Sequence, residues 1–127
     1  MVRSAWLSER AQRDVWLKLE SVQPGGSFKI RGALNALSVL RAEQPAVTTI
    51  VTASAGNHGA AMAIAASQLG LRLREHLSTA APDAKRGALL AYGAELVNAP
   101  GYDEAETGAR ADAAQSGAPY ISPYNHP

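Results

Sequence analysis

Residues 48–70 read TTIVTASAGNHGAAMAIAASQLG, and this stretch decides the fold. Thr48, Thr49, Ile50, Val51 and Thr52 are β-branched throughout, which suits a buried strand. Ser54, Ala55, Gly56, Asn57, His58 and Gly59 follow as a polar, glycine-rich turn. Beyond the turn, Ala60, Ala61, Met62, Ala63, Ile64, Ala65 and Ala66 predict a helix that is apolar nearly all round and therefore buried. Gly70 stands where a C-terminal cap glycine belongs. A strand, a turn and a buried helix in this order are the repeating unit of an α/β sheet.

The unit recurs downstream. Gly93 and Gly117 also follow helical stretches, at separations of 23 and 24 residues from the preceding cap glycine. Residues 94–98 read as a strand, residues 102–116 as a helix with Ala105, Ala109 and Ala113 on one face, and Pro119-Tyr120-Ile121 as the start of another strand. Alternating βαβα units imply a parallel sheet with helices on both faces, a three-layer αβα architecture. One stretch resists this pattern. Residues 71–79 read LRLREHLST where a buried parallel strand should be apolar. The expectation is an amphipathic edge element or a damaged sheet, with His76 at the surface. A short local reading-frame disturbance would leave such an island at unchanged length.

Upstream, residues 15–36 read VWLKLESVQPGGSFKIRGALNA. Residues 15–19 alternate as a short strand does. Gln23-Pro24-Gly25-Gly26 is a turn, because proline fixes φ and glycine accepts positive φ. Ser27 is the predicted N-cap of a helix running to about Leu40, with Ala33, Leu34, Leu37 and Leu40 as its apolar stripe. Glu43-Gln44-Pro45 breaks that helix. Lys29 opens it, beside the aromatic Phe28.

Lys29 and the 54–59 turn carry the chemistry. A lysine that captures an aldehyde must sit on a rigid element, with its amine desolvated and aimed into a cleft. A strand feeding a glycine-rich turn and then a helix N-terminus makes an anion site from backbone N–H groups. Ser54 and Asn57 add side-chain donors, and a substrate carboxylate is the natural guest. His58 reads as a support for the turn. Neither G-x-x-x-x-G-K-[ST] nor G-x-G-x-x-G occurs, and His58, His76 and His126 lack metal-ligand spacing. Trp6, Trp16 and Met62 read as packing residues.

Composition narrows the classes further. At 127 residues the chain fits one ordinary domain able to bury a core. A net charge of +1 gives no electrostatic case for nucleic acid or a membrane surface. The absence of cysteine rules out disulfides and thiolate metal sites and fits a reducing compartment, so the expected location is cytoplasmic. Residues 1–6 lack the apolar core of a signal peptide, and no apolar stretch is long enough to span a bilayer.

S-F-K-I-R-G-A at residues 27–33 together with T-A-S-A-G-N-H-G at residues 52–59 resembles the fold-type-II, tryptophan synthase β-like family of pyridoxal-phosphate enzymes, nearest its threonine/serine dehydratase branch. The resemblance covers nearly the whole chain. It implies pyridoxal 5'-phosphate as cofactor, bound covalently by Lys29, with Phe28 packing by the pyridine ring and Asn57 bonded to the phenolic oxygen. Ser54, Ala55, Gly56, Asn57 and His58 would hold the substrate carboxylate. The implied activity is a threonine/serine ammonia-lyase giving a 2-keto acid and ammonia in a homo-oligomeric parent enzyme. A serine/threonine racemase or a non-catalytic fragment is the alternative. The family's later phosphate-holding glycine loop has no counterpart before Pro127, nor has the residue that faces the pyridine nitrogen. The family's Thr-Pro-Leu motif would lie just before Val2. The expected organisation is therefore incomplete: residues 1–45 as the lysine-bearing segment of the large domain, and residues 46–127 as most of a small α/β domain.

Overall fold

The computed structural model describes residues 1–124; His126 lies outside them. Strands β1 (Val2–Arg3) and β2 (Trp16–Leu17) pair antiparallel around helix α1 (Ala5–Ala11). The strand read over residues 15–19 is thus shortened to two residues. Trp6 and Trp16 are 61% and 54% exposed, so neither is the packing residue expected from sequence. Trp6 instead lies under the Arg10 guanidinium, 4.6 Å from the ring centroid.

Two 3-10 turns, Glu20–Val22 and Pro24–Gly26, lead into α2 (Lys29–Glu43). Gly25 and Gly26 take φ of 79° and 69°, the left-handed conformation that the Pro-Gly-Gly reading required. Ser27 is not the N-cap. The turn leaves it extended, Phe28 takes the cap position, and the Ser27 hydroxyl accepts the Lys29 N–H at 3.4 Å. The helix also outruns Leu40 to Glu43, because the block comes only at Gln44, which Pro45 holds out of the helical region.

Strands β3 (Thr49–Ala53), β4 (Arg72–Ser78) and β5 (Glu95–Ala99) form a parallel sheet in the order β3-β4-β5. Helices α3 (Asn57–Leu69) and α4 (Asp83–Ala91) alternate with them, and α5 (Tyr102–Ser116) follows β5. The next strand is present only as a parallel bridge between Tyr120 and Val51, with the Ile121 N–H donating to Val51 O at 2.9 Å. Gly70, Gly93 and Gly117 close their helices at φ of 67°, 81° and 71°.

The core fills both faces of the sheet. Ile50, Leu73 and Leu77 meet the alanine-rich side of α3 and its Met62, and α2 adds Ile30, Ala33, Leu37 and Leu40. On the other face Val51 and Ala53 pack against Ala109 of α5. Helices therefore cover both faces, the three-layer arrangement the βαβα pattern implied. No helix among the described residues is long and apolar enough to cross a membrane.

The 71–79 stretch is neither an edge element nor a break in the sheet. It forms β4, the middle strand, in register with Thr49–Ala53 on one side and Glu95–Ala99 on the other. Strict alternation makes this possible. Leu73, Glu75 and Leu77 face α3, whereas Arg74 and His76 face α5. Asp112 of α5 receives both: Arg74 Nη2 lies 2.7 Å from Oδ1, and His76 Nε2 lies 3.0 Å from Oδ2. Arg74 also donates to Ser116 Oγ at 2.7 Å. His76 is consequently buried rather than at the surface. Glu75 is fully buried, and neither of its carboxylate oxygens has a hydrogen-bond partner.

Candidate active-site cleft

Lys29 is the first residue of α2, three residues after Gly26 ends the Pro24–Gly26 turn. Its Nζ donates to the backbone carbonyl of Pro123 at 3.1 Å and lies 5.6 Å from the centroid of the Phe28 ring. Both side chains line a cleft of about 530 Å³. Gly32, Ala36 and Val39 of α2 form one wall, His58 and Met62 of α3 another, and Ile121 to Tyr124 a third.

Residues 121–124 line this cleft and the buried Thr52 braces it; sequence reasoning had singled out neither for the site. The Thr52 hydroxyl donates to Ile121 O at 2.6 Å, and the same oxygen lies 3.0 Å from His58 Nε2. A hydroxyl has one proton, and Ile121 O takes it, so Nε2 of His58 carries the proton of this contact. Thr52 thereby ties the 54–59 turn to the cleft's third wall. That wall is anchored from behind. Tyr120 Oη donates to Glu106 Oε2 at 2.6 Å, and the Arg110 guanidinium lies 4.6 Å from the Tyr120 ring centroid. Burial, and then the bond to Glu106, push the Tyr120 phenol well above its ordinary pKa. The phenol therefore stays a donor throughout the working range. A weak signal for these residues existed in the strand read at Pro119-Tyr120-Ile121.

The turn itself is arranged around Ser54. Its hydroxyl is nearly buried and accepts the Gly56 N–H at 3.1 Å. Ala55 is half-buried, and Gly56 and Asn57 are exposed. Gly56 occupies the N-cap position of α3, and no side chain caps the helix there. Of the predicted residues, Phe28, Lys29 and His58 share the cleft lining, whereas Ser54, Ala55, Gly56 and Asn57 do not line it. Asn57 is the first residue of α3.

This donor set suits the aldehyde and ring end of pyridoxal phosphate. A primary amine projects into a cleft beside an aromatic ring, and Gly32 adds no side chain to the wall. No arginine and no second lysine lines the cleft among the described residues.

Comparison with known proteins decides the family. The family described as pyridoxal-phosphate dependent enzyme matches residues 1–127. The chain belongs to this family. The biosynthetic L-threonine dehydratase of Haemophilus influenzae is 38% identical over 122 residues, covering 95% of this chain and 24% of that protein. The serine racemase of Schizosaccharomyces pombe is 35% identical, covering 100% of this chain and 39% of that protein. Among solved structures, the processed threonine deaminase isoform 2 of Solanum lycopersicum superposes with a TM-score of 0.86 at 34% identity, covering 96% of this chain and 36% of that one. The chain thus spans well under half the length of these pyridoxal-phosphate enzymes, whose fold it shares in part.

Proposed function

We propose that the chain carries the lysine-bearing part of a pyridoxal-phosphate enzyme that eliminates water from threonine or serine, the resulting enamine taking up water again as it hydrolyses to a 2-keto acid and ammonia. The observation that carries this reading is the Lys29 amine, held by Pro123 O at the mouth of the cleft beside Phe28. When bound, pyridoxal phosphate supplies an aldehyde and an electron sink for charge developing at the substrate Cα. Lys29 is the group that holds the aldehyde and, once its amine is free, takes or returns the proton at Cα. Phe28 offers a flat apolar face beside the amine. In this reading Asn57, the first residue of α3, donates its amide to a ring oxygen. The backbone and side chains of Ser54, Ala55, Gly56, Asn57 and His58 bind the substrate carboxylate, aided by the positive end of α3. The division at residue 45 falls in this reading between the lysine helix and the sheet that presents the turn.

Racemisation of serine or threonine is the second reading. It needs the same lysine and turn, and the S. pombe serine racemase supports it over the full length of this chain. A non-catalytic chain is the third reading. Borohydride trapping after addition of pyridoxal phosphate tests the common part. The expected adduct maps to Lys29 and is absent in Lys29→Ala; an equal adduct in that variant refutes the assignment. A keto-acid assay with L-threonine and L-serine, with chiral analysis of the remaining amino acid, then separates lyase, racemase and inert binder.

A further inference from the structure

Among the described residues, Glu75 is the one buried acidic side chain, and the proposed chemistry does not use it. It occupies the middle of β4, opposite Thr52 on β3 and Leu96 on β5. Its Oε1 points into the space left by the missing side chain of Gly59, in the first turn of α3. Ser54 O borders the same space, 2.6 Å from where a Gly59 Cβ would sit. The carboxyl therefore lies beneath the turn formed by residues 54–58, with neither oxygen hydrogen-bonded.

The groups around it are few. From β3 comes Thr52, which holds His58; from β5, Leu96; from α3, Gly59. Helix α5 lies on the opposite face, where Asp112 pairs with Arg74 and His76, the residues flanking Glu75 in the chain. No charge offsets the desolvation, and burial raises the carboxyl well above its usual pKa.

We propose that Glu75 is a proton-operated control on anion binding by the turn above it. While it is neutral, the positive end of α3 is left to an incoming carboxylate. When it loses its proton to solvent, a fixed negative charge stands behind the turn and weakens the guest's hold. The inference rests on the carboxylate reading of residues 54–58. In general, two like unit charges about 8–12 Å apart at an effective dielectric near 20 weaken one another's binding roughly ten- to thirtyfold.

The test is L-serine binding to the isotope-labelled full chain from just above the unfolded carboxyl value near 4.5 up to the highest pH at which the chain stays folded, followed at the amide signals of Ala55, Gly56 and Asn57. Wild type is expected to lose affinity about tenfold or more across this range. In Glu75→Gln and Glu75→Leu, each checked by urea denaturation to be folded, most of that loss should vanish, with affinity near the low-pH wild-type value. The same pH dependence in wild type and both variants overturns the control while leaving the carboxylate reading intact. Weaker binding by the variants at every pH also overturns it, since Glu75 would then be a support. If no protein binds L-serine at any pH, the carboxylate reading itself has failed and the control falls with it.

Discussion

The Thr52 hydroxyl serves Ile121 O with its proton and His58 Nε2 with its lone pair, all within 3.0 Å. Valine has nearly the same shape and can do neither. Thr52→Val should therefore cost about 1–3 kcal/mol, because a buried donor and acceptor lose their partner. Urea denaturation reads the loss, and a slower pyridoxal-phosphate trapping rate at Lys29 reads the loosened cleft wall. Gly59 is constrained from the other direction. An added Cβ would sit 2.6 Å from the Ser54 carbonyl as well as against the Glu75 carboxyl. Glu75 can swing aside, but the backbone of Ser54 cannot. Gly59→Ala should destabilise by about 1–3 kcal/mol or more, and Glu75→Ala in the same chain should restore only part of it. Lys29 was legible in the sequence because a Pro-Gly-Gly turn fixes where the helix begins. Its partner was not, because a backbone carbonyl 94 residues away leaves no mark in residue type.

At the scale of elements, β4 carries the instructive disagreement. A central parallel strand is ordinarily apolar because helices cover both its faces. Here one face is polar and still covered, since Asp112 and Ser116 of α5 arrive at the right height to receive Arg74 and His76. That match depends on how a helix some forty residues on is docked, and no local pattern announces it. The strand at residues 48–52, the alanine-rich helix and the closing glycines were legible because each depends only on its own residues. Two predictions follow from β4. Asp112→Asn should cost about 1–3 kcal/mol, by leaving two basic side chains short of their acceptor. For Glu75, burial raises the folded-state pKa above the unfolded value near 4.5. The folded chain then holds a proton that the unfolded chain releases, so the contribution of this group to stability falls as pH rises through that window. The slope approaches about 1.4 kcal/mol per pH unit and levels off above the folded pKa. Denaturation midpoints of wild type minus those of Glu75→Leu, taken across pH, isolate it; a flat difference would contradict the burial argument.

Over the whole molecule, α2 and the sheet communicate through α3. Leu37 is fully buried where α2 meets this layer. Leu37→Ala should cost about 2–5 kcal/mol and, by loosening α2, also reduce trapping at Lys29. Thermal unfolding and borohydride labelling of the same preparation check both. The cleft is a property of this packing and of no single segment: α2 gives the amine, α3 the histidine, and the chain after α5 the carbonyl that holds the amine. That last contact has a consequence for biosynthesis. At about 5–20 residues per second, a ribosome adds Pro123 roughly 5–20 s after Lys29. During this interval the nascent chain presents the Lys29 amine with one wall of its enclosure still unmade.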